Sequence, residues 1–185
     1  VEKYDNFENG SILNRPHPTE QVAKNLGITP QTLIQNIEEA RQRLLEVRSQ
    51  RIRPLCDDKI LTSWNSLMIS AFARASRVFD QPYFGELAIK AAQFILSELI
   101  NDQERLLRRY RDGEARYLAY LCDYAQLATA CLDLYEYSYD LQWFQTALRL
   151  VNQINQLFKN ENGPYYDTGV DAEKLIARNM EGYDG

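Results

Sequence analysis

Among the places in this 185-residue chain where carboxylates and aromatic side chains lie close, three stand out. The densest is CDDKILTSWN, residues 56–65, which sets Asp57, Asp58 and Lys59 just before Thr62, Ser63, Trp64 and Asn65. The second is Asp123-Tyr124, and the third is Glu181 with Tyr183 and Asp184. Aromatic faces stack on the apolar faces of sugar rings or other flat ligands. Carboxylates accept hydrogen bonds from hydroxyls, and a pair of them can divide acid and base roles, as glycoside hydrolysis requires. Asp57, Asp58 and Asp123 are therefore the candidate catalytic groups. Lys59, Trp64, Asn65, Tyr124, Glu181, Tyr183 and Asp184 are the candidate substrate-binding groups.

Each of these has a competing structural account. Asp57 or Asp58 would pair with Lys59 or Arg53. Thr62 or Ser63 would cap the helix that follows, and Asp123 would be favoured at a helix start by the macrodipole alone. Cys56 has no histidine near it in sequence to activate it and reads as a packed thiol. Arg105, Arg108, Arg109, Arg111 and Arg116 interleave with Glu104, Asp112 and Glu114, the pattern of a solvated hairpin with salt bridges rather than a phosphate site. Tyr135, Tyr137 and Tyr139 read as packing between helices.

The elements that would position these groups are mostly helical. Residues 1–17 are irregular; 18–26 suit a short helix ended by Gly27. Thr29-Pro30 is a cap followed by proline at the first helical position, and Leu33, Ile37, Ala40, Leu44 and Val47 extend a helix to about residue 51. After the 52–63 loop comes a helix over 64–79, with Met68, Phe72, Ala75 and Phe79 on one face. Pro82 opens another over 82–99, with Phe84, Leu87, Ala88, Ala91 and Ile95 inward. Residues 106–111 and 114–118 flank Asp112-Gly113, a hairpin turn signal. Helices over 123–139 and 141–158 follow, the first with Leu127, Cys131, Leu134 and Tyr135 inward, the second with Phe144, Ala147, Leu148, Val151 and Ile154 inward.

The order repeats: buried helix, break, amphipathic helix, extended segment. Trp64 aligns with Tyr124, Asp80 with Asp140 and Leu106 with Tyr166, an offset of 60 residues. Stacked helical hairpins of that length, with extended pieces between them, predict an all-α fold of the (α/α) toroid type, with short β-hairpin segments. The expected organisation is one toroid domain, with an irregular lead-in over 1–28 and hairpins over 29–185. Inner helices of such a toroid run parallel, so their N-terminal ends meet at one mouth. All three clusters would gather there.

Composition narrows the function. Acidic residues exceed basic ones by 26 to 21, a net charge of −5, which weakens any nucleic-acid reading. No run of about 18 apolar residues exists to span a membrane. Three cysteines without a paired framework read as reduced thiols, hence a cytoplasmic location. The single histidine, His17, and the absence of zinc-type spacing argue against a metal site, and no cofactor motif is present. Val1 is not an initiator methionine, and the chain reads as part of a longer protein.

RPLCDDKILTSWNSLMISAFARA (53–75), LLRRYRDGEA (106–115), YLCDYAQLATACLDLYE (120–136) and EGYDG (181–185) resemble the thioredoxin-domain proteins related to spermatogenesis-associated protein 20, as do NFENGSIL (6–13) and LLEVRSQR (44–51). The resemblance implies the first part of a six-hairpin glycosidase-like (α/α) toroid, a partial ring, with a fused thioredoxin-like domain outside this chain. Two positions depart from the family. Leu55 stands where histidine is frequent after Arg-Pro, and Ser66 where glycine is frequent after Trp-Asn. The related sugar epimerases use histidines as acid and base, so a chain with His17 alone fits that chemistry poorly. The functional expectation is a sugar or polyol site at the toroid mouth, binding or hydrolytic. The alternative is a non-catalytic scaffold presenting the thioredoxin-like domain or a protein partner.

Overall fold

The structure, a computed structural model, describes residues 14–161, 163–173 and 175–180. The chain divides into two compact units, residues 1–56 and 57–185, where the sequence suggests one. In the first, α1 (Thr19–Leu26) and α2 (Pro30–Ser49) form as expected. Gly27 ends α1 at φ 67°, a left-handed conformation that glycine adopts without steric cost. Thr29 caps α2 by accepting the Thr32 N–H at 3.1 Å. Ala23 and Leu33 are the residues these two helices bury.

The second unit contains β1 (Ile60–Leu61), α3 (Thr62–Phe79), α4 (Pro82–Glu98), β2 (Leu107–Arg111), β3 (Glu114–Leu118), α5 (Leu121–Ser138) and α6 (Leu141–Leu157). Helix α3 packs on α4 and α5, and α5 packs on α6. The starts of α3 and α5, and those of α4 and α6, are each 59 residues apart. That is one fewer than the sequence identities suggest: Asp80 ends α3 at φ 52°, and its counterpart at the end of α5 is Tyr139 at φ 56°, not Asp140. Asp140 instead caps α6 by accepting the Gln142 N–H at 3.0 Å.

Side-chain bonds between α3 and α5 advance together along both helices, from Ser63–Asp123 through Arg74–Asp133 to Arg77–Glu136. The two helices are therefore parallel and side by side, and their N-terminal ends share one face of the unit.

The helix faces differ from the expected ones at several points. Helix α3 buries Ser66, Ile69, Ala73 and Ser76, whereas Met68 and Phe79 are exposed. Small side chains let α3 approach its neighbours closely, and the largest apolar residues lie beside that seam. Phe72 does pack, stacked on Phe84 at 5.6 Å between ring centroids. Helix α6 buries Ala147 as expected and packs Ile154 against the core, but it also buries Trp143 and Leu150, one position away from the expected Phe144 and Val151, which with Leu148 face solvent in part. Tyr135 packs against Phe144, but Tyr139 at its helix end is exposed.

Strands β2 and β3 form the expected hairpin, with Asp112 at φ 53° and Gly113 at φ 78° making its turn. Strand β1 lies inside the expected 52–63 loop. It is two residues long and pairs antiparallel with β2, Ile60 opposite Tyr110 and Leu61 opposite Arg109.

Candidate functional site

Strand β1 runs straight into α3, so the pairing with β2 fixes the first turn of that helix. The Thr62 hydroxyl donates to the Leu107 carbonyl at 2.6 Å, and the Ser66 hydroxyl to the Thr62 carbonyl at 2.7 Å. Neither Thr62 nor Ser63 caps α3. Both lie inside it, and Leu61 occupies the cap position without a side-chain bond. The cap comes from Asp123: its Oδ1 accepts the Ser63 N–H at 3.0 Å across the parallel seam.

The same carboxylate serves its own helix. Asp123 Oδ2 accepts the Tyr120 N–H at 2.9 Å and Arg108 Nη1 at 3.1 Å. Asp123 is fully buried. Tyr124, next to it, is fully buried too. Its hydroxyl contacts Arg105 Nη1 and accepts the Leu106 N–H at 3.0 Å, and its ring meets Phe158 edge-on at 5.3 Å. Burial pushes the Tyr124 hydroxyl up from its ordinary pKa. Asp123 therefore braces two helix starts from within, and Tyr124 has no face open to solvent.

The DDK loop is open. The antiparallel register carries Asp57 and Asp58 alongside the β2–β3 turn. Arg111 Nε sits 2.7 Å from Asp58 Oδ1 without forming a directed hydrogen bond, so this is a charge contact. Arg111, not Arg53, is thus the ionic partner of Asp58. Asp57 pairs with Lys59 at 3.1 Å, and the hydrogen bond from that side chain, reinforced by the Lys59 N–H, holds the Asp57 carboxyl below its ordinary value. Both acidic side chains are more than half exposed, so these pairs are weak and exchange readily with solvent or ligand. Trp64 is 65% exposed on the first turn of α3. Asn65 Nδ2 donates back to the Leu61 carbonyl at 2.8 Å. Cys56 is exposed rather than packed.

Two groups at this end lie outside the expected site residues. The Arg108 guanidinium lies over the Tyr120 ring at 4.4 Å while holding Asp123. Asp167 sits beside them, tied by its backbone: its carbonyl accepts the Leu121 N–H at 2.9 Å at the start of α5. Burial raises the Asp167 pKa and the charge of Asp123 adds to this, while Arg108 opposes it. Cys122 is raised by burial and then by Asp123. No sequence pattern links residue 167 to residue 123. The other arginines of the region are engaged much as expected, Arg116 with Glu114 and Arg111 with Asp112, but Arg105 is buried and grips Asp171. Glu181, Tyr183 and Asp184 lie outside the described residues.

The structure thus brings Asp58, Trp64, Arg108, Asp123 and Asp167 to one end of the α3–α5 pair. A groove of about 450 Å³ between α3 and α5 lies elsewhere, lined by Arg74, Arg77, Val78, Asp133 and Glu136 toward the C-terminal ends of the helices.

No family model matches the chain. It is similar to spermatogenesis-associated protein 20 of Homo sapiens, 27% identical over 165 residues, covering 84% of this chain and 21% of that protein. It is also similar to an uncharacterized protein of Caenorhabditis elegans, 29% identical over 187 aligned positions, covering 97% of this chain and 25% of that one. The chain therefore spans about a quarter or less of the length of these relatives. Among solved structures it resembles cellobiose 2-epimerase from Spirochaeta thermophila, at TM-score 0.53 and 15% identity over 59% of this chain and 28% of that one. It also resembles a GH76 α-mannanase of Bacteroides thetaiotaomicron, at TM-score 0.56 and 12% identity over 62% of this chain and 34% of that one. At such identities the likeness concerns the fold: the helices are hairpins of the (α/α) toroid type.

Proposed function

We propose that the end of the unit where α3 and α5 begin is a carbohydrate-binding site. The observation that carries this reading is the exposed Trp64 indole on the first turn of α3, directly after a loop whose Asp57 and Asp58 side chains make exposed ion pairs with Lys59 and Arg111. An open aromatic face beside exchangeable hydrogen-bonding groups is the chemistry that a sugar ring needs. The saccharide enzymes among the structural neighbours support it at the level of the fold. In this reading Trp64 is the platform, and Asp57, Asp58, Lys59 and Asn65 are the polar contacts. Asp123 and Tyr124 support them from below, and Glu181, Tyr183 and Asp184 stay candidate contacts on their sequence alone. The exposed Cys56 and Cys122 and the buried Cys131, none of them in a disulfide, fit a reducing, cytoplasmic setting.

The test is a thermal-shift series with mannobiose and cellobiose on the full chain. A ligand that binds only the folded state raises its melting temperature. At a hundredfold excess over Kd the stabilisation is about 2.7 kcal/mol. The Asp58→Ala variant should melt like the wild type without sugar and lose the sugar-dependent rise. A variant that keeps the full rise removes Asp58 from the site.

A second reading has its own observation. Leu67, Met68, Val78 and Phe79 are exposed along α3, and apolar stripes of that kind mark protein contacts. Under this reading the unit is a scaffold for a thioredoxin-like domain or another protein. It gives no sugar-dependent shift, and a stable complex with the separately expressed thioredoxin-like domain.

A further inference from the structure

Toward their C-terminal ends, α3 and α5 are bridged by two ion pairs, Arg74 with Asp133 and Arg77 with Glu136. These four residues and Val78 line the groove of about 450 Å³, a size that takes small molecules. The two pairs differ in depth. The Glu136 side chain is 59% exposed and that of Asp133 only 9%. Asp133 Oδ1 accepts from Arg74 Nε at 2.9 Å, but Oδ2 is buried with no hydrogen-bond partner among the described residues. A buried carboxylate oxygen without a donor is costly and uncommon. The guanidinium groups are also incompletely used. Arg74 bonds through Nε and Arg77 through Nη1, so Arg74 Nη1 and Nη2 and Arg77 Nη2 have no hydrogen bond among the described residues.

We propose that this groove binds a small zwitterion, a free α-amino acid, independently of the carbohydrate site at the other end of the helices. The lining holds two positive and two negative groups, and after their mutual pairing it keeps open hydrogen-bonding positions of both kinds. A simple anion meets the charges of Asp133 and Glu136, and a simple cation meets those of Arg74 and Arg77. A molecule with an ammonium and a carboxylate on one carbon answers both. Its ammonium donates to Asp133 Oδ2, the buried open acceptor. Its carboxylate accepts from the open Nη groups, in the two-pronged contact that arginine makes with carboxylates. Val78 gives an apolar wall for the ligand's side chain. Arg74 is 62% exposed, so its guanidinium moves at little cost and gives the ammonium its way to Oδ2.

The experiment is calorimetric titration of the full chain with each protein amino acid at millimolar concentrations. The tightest binder is then compared with its N-acetyl form, which lacks the ammonium, and its amide, which lacks the carboxylate. The same titrations are run on Asp133→Asn and Arg77→Gln. Asparagine keeps an acceptor for Arg74 and replaces the open oxygen with a donor. Arg77 sits in an exposed pair, so its loss leaves the fold intact, and a thermal melt checks both variants. The expected result is saturable binding that weakens by about 10-fold or more in each derivative and each variant, as loss of a charge-assisted hydrogen bond does. If Asp133→Asn does not fold, Arg77→Gln and the two derivatives decide. No binding by any amino acid overturns the inference. So does an N-acetyl form or an amide that binds as well as the free amino acid, or a folded variant that binds like the wild type. The carbohydrate reading, tested with disaccharides, stands or falls separately.

Discussion

Asp123 accepts hydrogen bonds from three segments at once: the start of α3, the residue before α5, and strand β2. Removing it leaves two helix-terminal N–H groups unsatisfied and a guanidinium without its partner. Loss of a cap and of buried acceptors together makes Asp123→Ala destabilising by about 3 kcal/mol. Denaturant unfolding checks this, and a loss no larger than that of an exposed Asp57→Ala change would contradict the bracing role. The residue type and its place at a helix start were legible in the sequence. Its partner sixty residues away was not, because the pairing depends on how α3 and α5 lie side by side. Asp58 shows the same limit. Its need for a cation was legible, but the cation is Arg111, delivered by the β1–β2 register, rather than Arg53 a few residues away.

Element boundaries were read within a few residues because capping and turn residues act locally. Thr29-Pro30 and Asp112-Gly113 do in the structure what their chemistry dictates. Helix faces were harder. In α3 and α6 the buried stripe follows small residues and close approach rather than the bulkiest side chains, so a periodicity built on Met68 or Leu148 lands one position off. Gly85 shows how tight these contacts are. A methyl group at Gly85 would overlap the Tyr137 ring, which reaches α4 from α5. Gly85→Ala should therefore cost about 1–3 kcal/mol, as overpacking does. The same change in a Tyr137→Ala background should cost much less, a coupling that a double-mutant cycle measures directly. Equal costs in the two backgrounds would place the strain elsewhere.

At the scale of the molecule, the repeat and the toroid class were legible because each hairpin carries its own breaks and amphipathic stripe. The division into two units was not, since nothing in composition changes near residue 56. The account rests on one claim, that the end of the unit where α3 and α5 begin takes a sugar ring on Trp64. The chain has two tryptophans, Trp64 exposed and Trp143 buried, so their emission separates cleanly. The most direct measurement is the fluorescence of a Trp143→Phe variant, in which Trp64 is the sole tryptophan, titrated with mannobiose and then with cellobiose. Stacking on a sugar should move the emission to shorter wavelength and change its intensity in a saturable way, with Asp58→Ala weakening the response. An emission that stays at the wavelength of a solvent-exposed indole through millimolar concentrations of both sugars would contradict the account.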